Sequence, residues 1–464
     1  ICIVQGCVGS GKSTVAIHKL SHIFFNYPEL IHPERSILIA KNQILVGYLS
    51  TLFPKLGIFN INYKTLKDLV YNSVFREKYS IRMDFNLENF GPEVTLDRIN
   101  LLREKIKAIH SKYEEKIQKV FEDEEFESFG GFVYDTSQSV QDNMLEIVTD
   151  LNEELESQKD YFKENPNSIN AWLYQSNITD LRKLVTKIRN FGKDLENSDF
   201  PELLKFAELD VKEKLGYKDT LLYMFLHSEV FGLQNTQKFE YCVVDEAQDL
   251  SLLEYTVLSK FVLRGRLCIL GDLNQSIREE GLSKWDEIYE VVTEAKNANI
   301  FELDTNYRST KQIIDLANSI LSPYTQKYLP KSINRIGIEP VVKEFGSTED
   351  MVSFFSNSIE TDLKDLDKSI GVICFDETSF NKAKTILNNI KTKEEIIILD
   401  ENKPIHYIPK GVYLTTFDNC KGLEFSKVYV LNLRLSKISS FFEAKRAFVA
   451  VTRAMNELEV YASE

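Results

Sequence analysis

The chain has 464 residues, and its 43% hydrophobic and 27% charged composition, with only 19 Gly and 11 Pro, excludes collagenous, low-complexity and wholly disordered classes. At about 150 residues per domain that length suits about three compact units. Fifty-six Lys and Arg against seventy Asp and Glu leave a formal charge of −14, which argues against a polyanion-binding surface spread over the whole sequence and leaves a local basic groove open.

No apolar run approaches the roughly 18 residues that a membrane helix needs. The six cysteines, Cys2, Cys7, Cys242, Cys268, Cys374 and Cys420, never reach CxxC spacing. They are expected to be buried free thiols in a reducing compartment, with the cytoplasm as the default. Ile1 already lies inside a strand-like run, without an initiator Met or a signal peptide's charged lead, so a truncated or partly ordered protein is expected.

Short apolar, β-branched runs recur along the chain with helical stretches between them. Ile1–Val4, Ser36–Ala40, Tyr241–Val244, Leu267–Leu270, Ile373–Phe375, Ile396–Leu399, Tyr413–Thr416, Val428–Leu433 and Leu458–Tyr461 have the pattern of strands buried on both faces of a parallel sheet. Between about Phe75 and Gly216 the alternation stops. There Leu102, Ile106, Ile109, Tyr113, Ile117 and Val120 keep a helical spacing with Lys and Glu between them, so a mostly helical insert is expected. Its acidic stretch Glu122-Asp123-Glu124-Glu125-Phe126-Glu127 is expected to be a solvated helix end or loop, with a docking surface as the minority reading.

Gly6-Cys7-Val8-Gly9-Ser10-Gly11-Lys12-Ser13 satisfies G-x-x-x-x-G-K-[ST] after a strand and before a helical run that begins at Thr14. The glycines let successive N–H groups curl round phosphate oxygens, and the helix N-terminus adds its positive dipole end. Lys12 would reach the β/γ-phosphates and Ser13 would ligate Mg²⁺. Alone, the motif does not separate a kinase, a GTPase and a motor.

The strand Tyr241–Val244 ends in Asp245-Glu246-Ala247-Gln248-Asp249, at the end of a strand where open α/β sheets bind ligands. Asp245 is suited to hold the Mg²⁺ shell and Glu246 to orient and deprotonate an attacking water. An isolated Asp-Glu pair is more often a solvated loop, but beside a phosphate loop it favours hydrolysis over transfer to a substrate. Later stations follow: Gln275 in Leu270–Ser276 as a γ-phosphate sensor, then Tyr307 and Arg308 in Leu303–Ser309. Glu424 lies in Lys421-Gly422-Leu423-Glu424-Phe425, and Arg453 in Val449–Ala454. Separately, Arg308 or Arg453 reads as a surface ion pair; in this order the set is hard to obtain by chance.

Together the segments VQGCVGSGKST, VVDEAQD, LGDLNQSI, LDTNYRS, CKGLEF and VAVTRA resemble the UvrD/Rep-like branch of superfamily 1 helicases. Within it the text is most similar to the HelD subgroup, helicase IV-like ATPases associated with RNA polymerase. The likeness rests on Ala16-Ile17-His18-Lys19, on Tyr48–Gly57 and on Gly271-Asp272-Leu273-Asn274-Gln275. The resemblance implies an α/β fold of two RecA-like P-loop domains with parallel sheets. The first would span 1–75 and 216–305, the helical insert 76–215, and the second domain 306–464.

ATP with Mg²⁺ would sit between the two lobes, bound by Gly6, Gly9, Ser10, Gly11, Lys12, Ser13, Thr14, Tyr307 and Glu424. Tyr307 would stack on adenine, and Glu424 would lie near the ribose or the coupling region. The catalytic set would be Lys12, Glu246, Gln275, Arg308 and Arg453, with the two arginines arriving from the second lobe as fingers. The metal would be held by Ser13 and Asp245.

Several departures bear on the substrate. The DNA-touching element after the second strand reads Ala40-Lys41-Asn42-Gln43. No aromatic soon follows Gln275, Trp285 coming later, and Asp418 stands where the family carries His. The stretch from Arg308 to Lys421 leaves little room for the large accessory domain of Rep-like helicases. Two function classes therefore stay open: a motor moving along nucleic acid, single-stranded DNA first among its partners, and an ATP-switched factor that remodels RNA polymerase without processive unwinding. Neither involves a membrane. A P-loop kinase or GTPase ranks below both, since the two Arg-bearing motifs demand a second lobe.

Overall fold

The computed structural model describes the chain except residues 42, 44, 45, 48, 49, 51, 52, 55, 56, 88–93, 124, 127, 128, 130, 279, 280, 366, 367, 391–395, 400–409 and 464. It forms two compact units, Ile1–Leu69 with Lys238–Glu464, and Val70–Gln237.

The first unit holds two six-stranded parallel sheets. In one, β1 (Cys2–Gly6), β2 (Ser36–Ala40), β3 (Asn62–Thr65), β4 (Tyr241–Val244), β5 (Leu267–Gly271) and β6 (Asn299–Leu303) take the order β3-β2-β4-β5-β1-β6. Helix α1 (Lys12–Asn26) packs Ala16, Ile17, Leu20 and Ile23 into one core with Val4, Leu38, Val243 and Leu270. The other sheet orders β7 (Val341–Phe345), β8 (Ser369–Cys374), β9 (Ile396–Ile398), β10 (Gly411–Thr416), β11 (Phe425–Leu431) and β12 (Ala454–Ser463) as β7-β12-β11-β8-β10-β9. Its central strands are buried along their length, as continuous apolar runs require. Val8 of the phosphate loop joins the core of this second lobe, beside Ile313, Ile314 and Phe448.

Strands β3, β6 and β7 have no counterpart among the apolar runs. Each lies at a sheet edge and is largely unburied, so nothing selects an apolar run there.

The second unit is mostly helical: α2 (Leu96–Phe121), α3 (Val140–Glu164), α4 (Ala171–Asp194), α5 (Phe200–Phe206) and α6 (Tyr217–Phe231). Thr95 and Ser139 cap α2 and α3 by accepting from the N–H of Arg98 and Asp142. The buried stripe of α2 runs Ile99, Leu102, Ile106, His110, Tyr113 and Ile117, while Ile109 and Val120 fall on its flank. In the acidic stretch Phe126 is buried and Glu125 pairs with Lys183 at 2.5 Å, whereas Glu124 and Glu127 lie outside the described residues. The six cysteines are unpaired and buried. Among the described residues no helix is long and apolar enough to cross a membrane.

Candidate active site

The strand β1 ends at Gly6, and the loop that follows is shaped by what cannot fit. A Cβ on Gly6 would lie 2.3 Å from Lys12 Cγ, and one on Gly9 (φ +64°) 2.4 Å from Asn306 Nδ2. Any side chain there would fill the cradle that a phosphate needs, or push the second lobe away. Lys12 folds back so that Nζ donates to Gly6 O at 2.9 Å and Cys7 O at 3.3 Å. Ser10 Oγ is buried with no hydrogen-bond partner. Thr14 is exposed at the first turn of α1. An orphaned hydroxyl, a cradle that admits no Cβ and a lysine folded onto loop carbonyls together suit a polyphosphate.

Ser13 Oγ donates to Asp245 Oδ2 at 3.4 Å. Burial and the adjacent Glu246 push the Asp245 carboxyl up from its usual range. A hydroxyl beside two adjacent carboxyl groups is an oxygen donor set suited to a hard divalent cation such as Mg²⁺.

Glu246 takes a left-handed backbone (φ +52°), uncommon for a residue with a side chain, and Gln248 Nε2 donates to its Oε2 at 2.7 Å. Burial alone would raise this carboxyl, but Lys421, Lys12 and Arg453 outweigh it and hold Glu246 ionised. A carboxylate kept charged and oriented is able to accept a proton from water.

The second lobe reaches the same place. Asn306 Nδ2 donates to Val8 O at 2.7 Å and Tyr307 N–H donates to Gly9 O at 3.0 Å, so the LDTNYRS segment lies on the phosphate loop. Arg308 sits above Gly9 and pairs with Glu424. The Tyr307 side chain is 63% exposed, and its ring is open to stacking.

Arg453 is buried, with Nη2 donating to Gln275 Oε1 at 2.9 Å and Nε donating to Val449 O at 3.0 Å. Gln275 Nε2 donates to Asp272 Oδ2 at 2.7 Å, and Gln5 Nε2 donates to Asp272 Oδ1 at 3.1 Å. A continuous polar chain therefore runs from the phosphate-loop strand through Asp272 and Gln275 to Arg453 of the other lobe.

The KGLEF motif by itself gives Lys421 no role, yet its side chain is fully buried. Its Nζ lies 2.7 Å from Asp249 Oδ1, 3.7 Å from Glu246 Oε2 and 2.5 Å from Gln275 O. Lys41 approaches the other Asp249 oxygen at 3.3 Å. The KGLEF text marked the segment; only the fold reveals that its lysine ends beside Glu246. Trp285 is buried too, its Nε1 donating to Gln5 Oε1 at 3.0 Å, so its ring offers no open face to a base. Of the run Tyr48–Gly57, residues 48, 49, 51, 52, 55 and 56 lie outside the described residues, as does Asn42.

Comparison with known proteins gives two domain matches. The UvrD/REP helicase N-terminal domain matches residues 48–279, and the UvrD-like helicase C-terminal domain matches residues 301–403. The chain is 26% identical over 166 residues to the ATP-dependent DNA helicase PcrA of Leuconostoc citreum, covering 34% of this chain and 22% of that protein. It is 35% identical over 86 residues to PcrA of Bacillus subtilis, covering 18% of this chain and 12% of that protein. The matched part thus spans less than a quarter of either relative. A crystal structure of the C-terminal domain of a possible DNA helicase from Lactobacillus plantarum aligns with a TM-score of 0.26 and 23% identity, over 34% of this chain and 87% of that one.

Proposed function

The chain belongs to the UvrD/REP helicase family, and from that premise we propose that it is an ATP-driven nucleic-acid motor that hydrolyses ATP between two RecA-like lobes. The domain limits we propose are 1–75 with 216–305 for the first lobe, 76–215 for the insert and 306–464 for the second lobe. The observation that carries the reading is the meeting of Lys12, Ser13, Asp245 and Glu246 with Arg308 and Arg453 around one phosphate cradle.

When bound, Mg²⁺ would supply charge neutralisation at the β/γ-phosphates, held by Ser13 and Asp245. Lys12 swings from the loop carbonyls to phosphate oxygens. Glu246 takes the proton of the attacking water, and Arg308 and Arg453 neutralise charge that develops on the transferred group. Gln275, bonded to Arg453, couples the phosphate's presence to the contact between the lobes. Tyr307 stacks on the base, and Glu424, paired with Arg308 before ATP arrives, is freed toward the ribose as Arg308 moves.

A second reading, an ATPase of the HelD type that remodels RNA polymerase, is favoured by the burial of Trp285, which removes one platform for gripping a strand. Base stacking contributes about 1–3 kcal/mol per base, so its loss weakens stepping. Asp418 in place of a His adds a carboxylate that would repel a phosphate backbone. Both readings suit a reducing cytoplasm.

ATPase activity measured with and without single-stranded DNA across a salt series separates them. Stimulation that fades steeply with salt is the result for a motor, because counterion release sets the slope. Flat activity together with co-elution with purified RNA polymerase is the result for a remodeller.

A further inference from the structure

We propose that the helical unit holds a second ligand site, a pocket that takes a nucleotide with its base inside and its phosphate at the exposed basic residues. The cavity has a volume of about 690 Å³. Small-molecule sites typically enclose about 300–1,000 Å³ behind mostly apolar and aromatic walls. Here the walls include Tyr79, Phe200, Tyr223, His227 and Phe231, with the His227 ring centred 4.4 Å from Tyr79 and 4.7 Å from Phe231. These contacts pack the rings against one another into one aromatic wall, and where such a wall borders the cavity it can take a flat heteroaromatic ring, because every base presents a π-face.

Two polar atoms mark this wall as more than core. Tyr79 Oη and His227 Nδ1 are both buried with no hydrogen-bond partner, and Tyr79 is only 9% exposed. Buried polar groups are nearly always satisfied, so a donor and acceptor edge of a bound base would complete them. Burial also pulls the His227 imidazole down to about 4, so it stays neutral and can donate or accept at neutral pH.

The exposed lining adds the charge. Lys78, Arg189 and Lys193 line the pocket, and among the described residues none of them forms an ion pair. Of the two acids there, Glu77 is engaged by the N–H groups of Gln234 and Asn235 at 3.0 Å each, which leaves Glu196. Glu196 belongs to the π-helical turn Leu195–Asp199, an irregularity that recurs at functional sites. Phosphate oxygens are the partners that such cations take.

The shared chemistry, a base with a phosphate, has two sources: a free nucleotide or one residue of a nucleic-acid strand. Two probes distinguish them on the full chain carrying Lys12→Ala, in which the phosphate loop no longer competes. One is 2-aminopurine riboside 5′-monophosphate, and the other is decathymidylate with one central 2-aminopurine, whose fluorescence falls on stacking. The proposal expects quenching by at least one probe. Its affinity should drop about tenfold or more in Arg189→Glu/Lys193→Glu and in His227→Leu, with unchanged thermal melts. Loss for the monophosphate alone identifies a free nucleotide, and loss for the oligonucleotide alone identifies a base in a strand. Absence of quenching by either probe, or affinities unmoved by the exposed charge reversal, overturns the proposal.

Discussion

Lys421 of the second lobe ends 2.7 Å from Asp249 and 3.7 Å from Glu246 of the first, with no exposure to solvent. This ammonium does two things at once: it neutralises Asp249 and it helps hold Glu246 ionised. Replacing it by Met leaves two buried carboxylates with less compensation and loosens the geometry of the base. Turnover should fall about 10²–10³-fold, the range seen when one preorganised electrostatic group is lost, while nucleotide affinity changes little. Steady-state ATPase kinetics with a parallel nucleotide titration check this. Pairing Lys421→Met with Asp249→Asn should show a coupling of about 0.5–3 kcal/mol, as groups in direct contact do.

The two ends of the phosphate machinery should fail differently. Lys12→Ala removes the ammonium that would meet the phosphates and should weaken nucleotide binding. Glu246→Gln keeps the shape, loses the proton acceptor, and should retain ATP without hydrolysing it. Filter binding with radiolabelled ATP distinguishes bound substrate from bound product; normal hydrolysis by Glu246→Gln would reassign the base.

In the second lobe, Lys427 is buried between Asp362 at 2.8 Å and Glu459 at 2.6 Å, with Glu457 at 3.7 Å. Deleting the buried cation leaves partly buried negative charges facing each other. Lys427→Ala should destabilise the chain by about 3–5 kcal/mol, the usual cost of breaking a buried pair. Urea unfolding monitored by circular dichroism measures it.

Asp199 in the helical unit accepts from Lys112 at 2.5 Å and from Tyr113 Oη at 2.7 Å. Burial acts to raise its carboxyl, but the hydrogen bonds and the Lys112 charge win, and the folded group lies below the usual carboxylate range. A depressed folded value gives stability that is present above the unfolded carboxylate range and is lost as pH falls through the folded value. Unfolding midpoints should therefore drop on acidification, and Asp199→Asn, less stable at neutral pH, should show a shallower acid limb.

The phosphate loop and the DEAQD strand end were legible because their chemistry is local: a few consecutive residues set the turn, the dipole and the carboxylates. Buried strands such as Ser36–Ala40 and Tyr241–Val244 were legible because both faces are apolar, whereas the run read at Ile373–Phe375 caught only the end of the strand Ser369–Cys374, whose Ser369 and Gly371 break the apolar pattern. Asn62–Thr65, Asn299–Leu303 and Val341–Phe345 were not, since edge strands need only one neighbour and tolerate polar residues. Gln275 and Arg453 were each singled out, but their direct hydrogen bond joins residues far apart in the chain and depends on how the lobes pack. The same holds for Lys421 beside Glu246. His110 on the buried stripe of α2 escaped because its partner, Tyr134 Oη at 3.0 Å, lies beyond the helix.

The most direct measurement is the rate of ATP hydrolysis by Arg453→Ala under single-turnover conditions, alongside its nucleotide affinity. If the second lobe completes the site, hydrolysis should fall by about 10³–10⁵-fold, the worth of an arginine finger, with affinity nearly unchanged. Hydrolysis at the unaltered rate, or a large loss of affinity with normal turnover, would contradict a site assembled from both lobes.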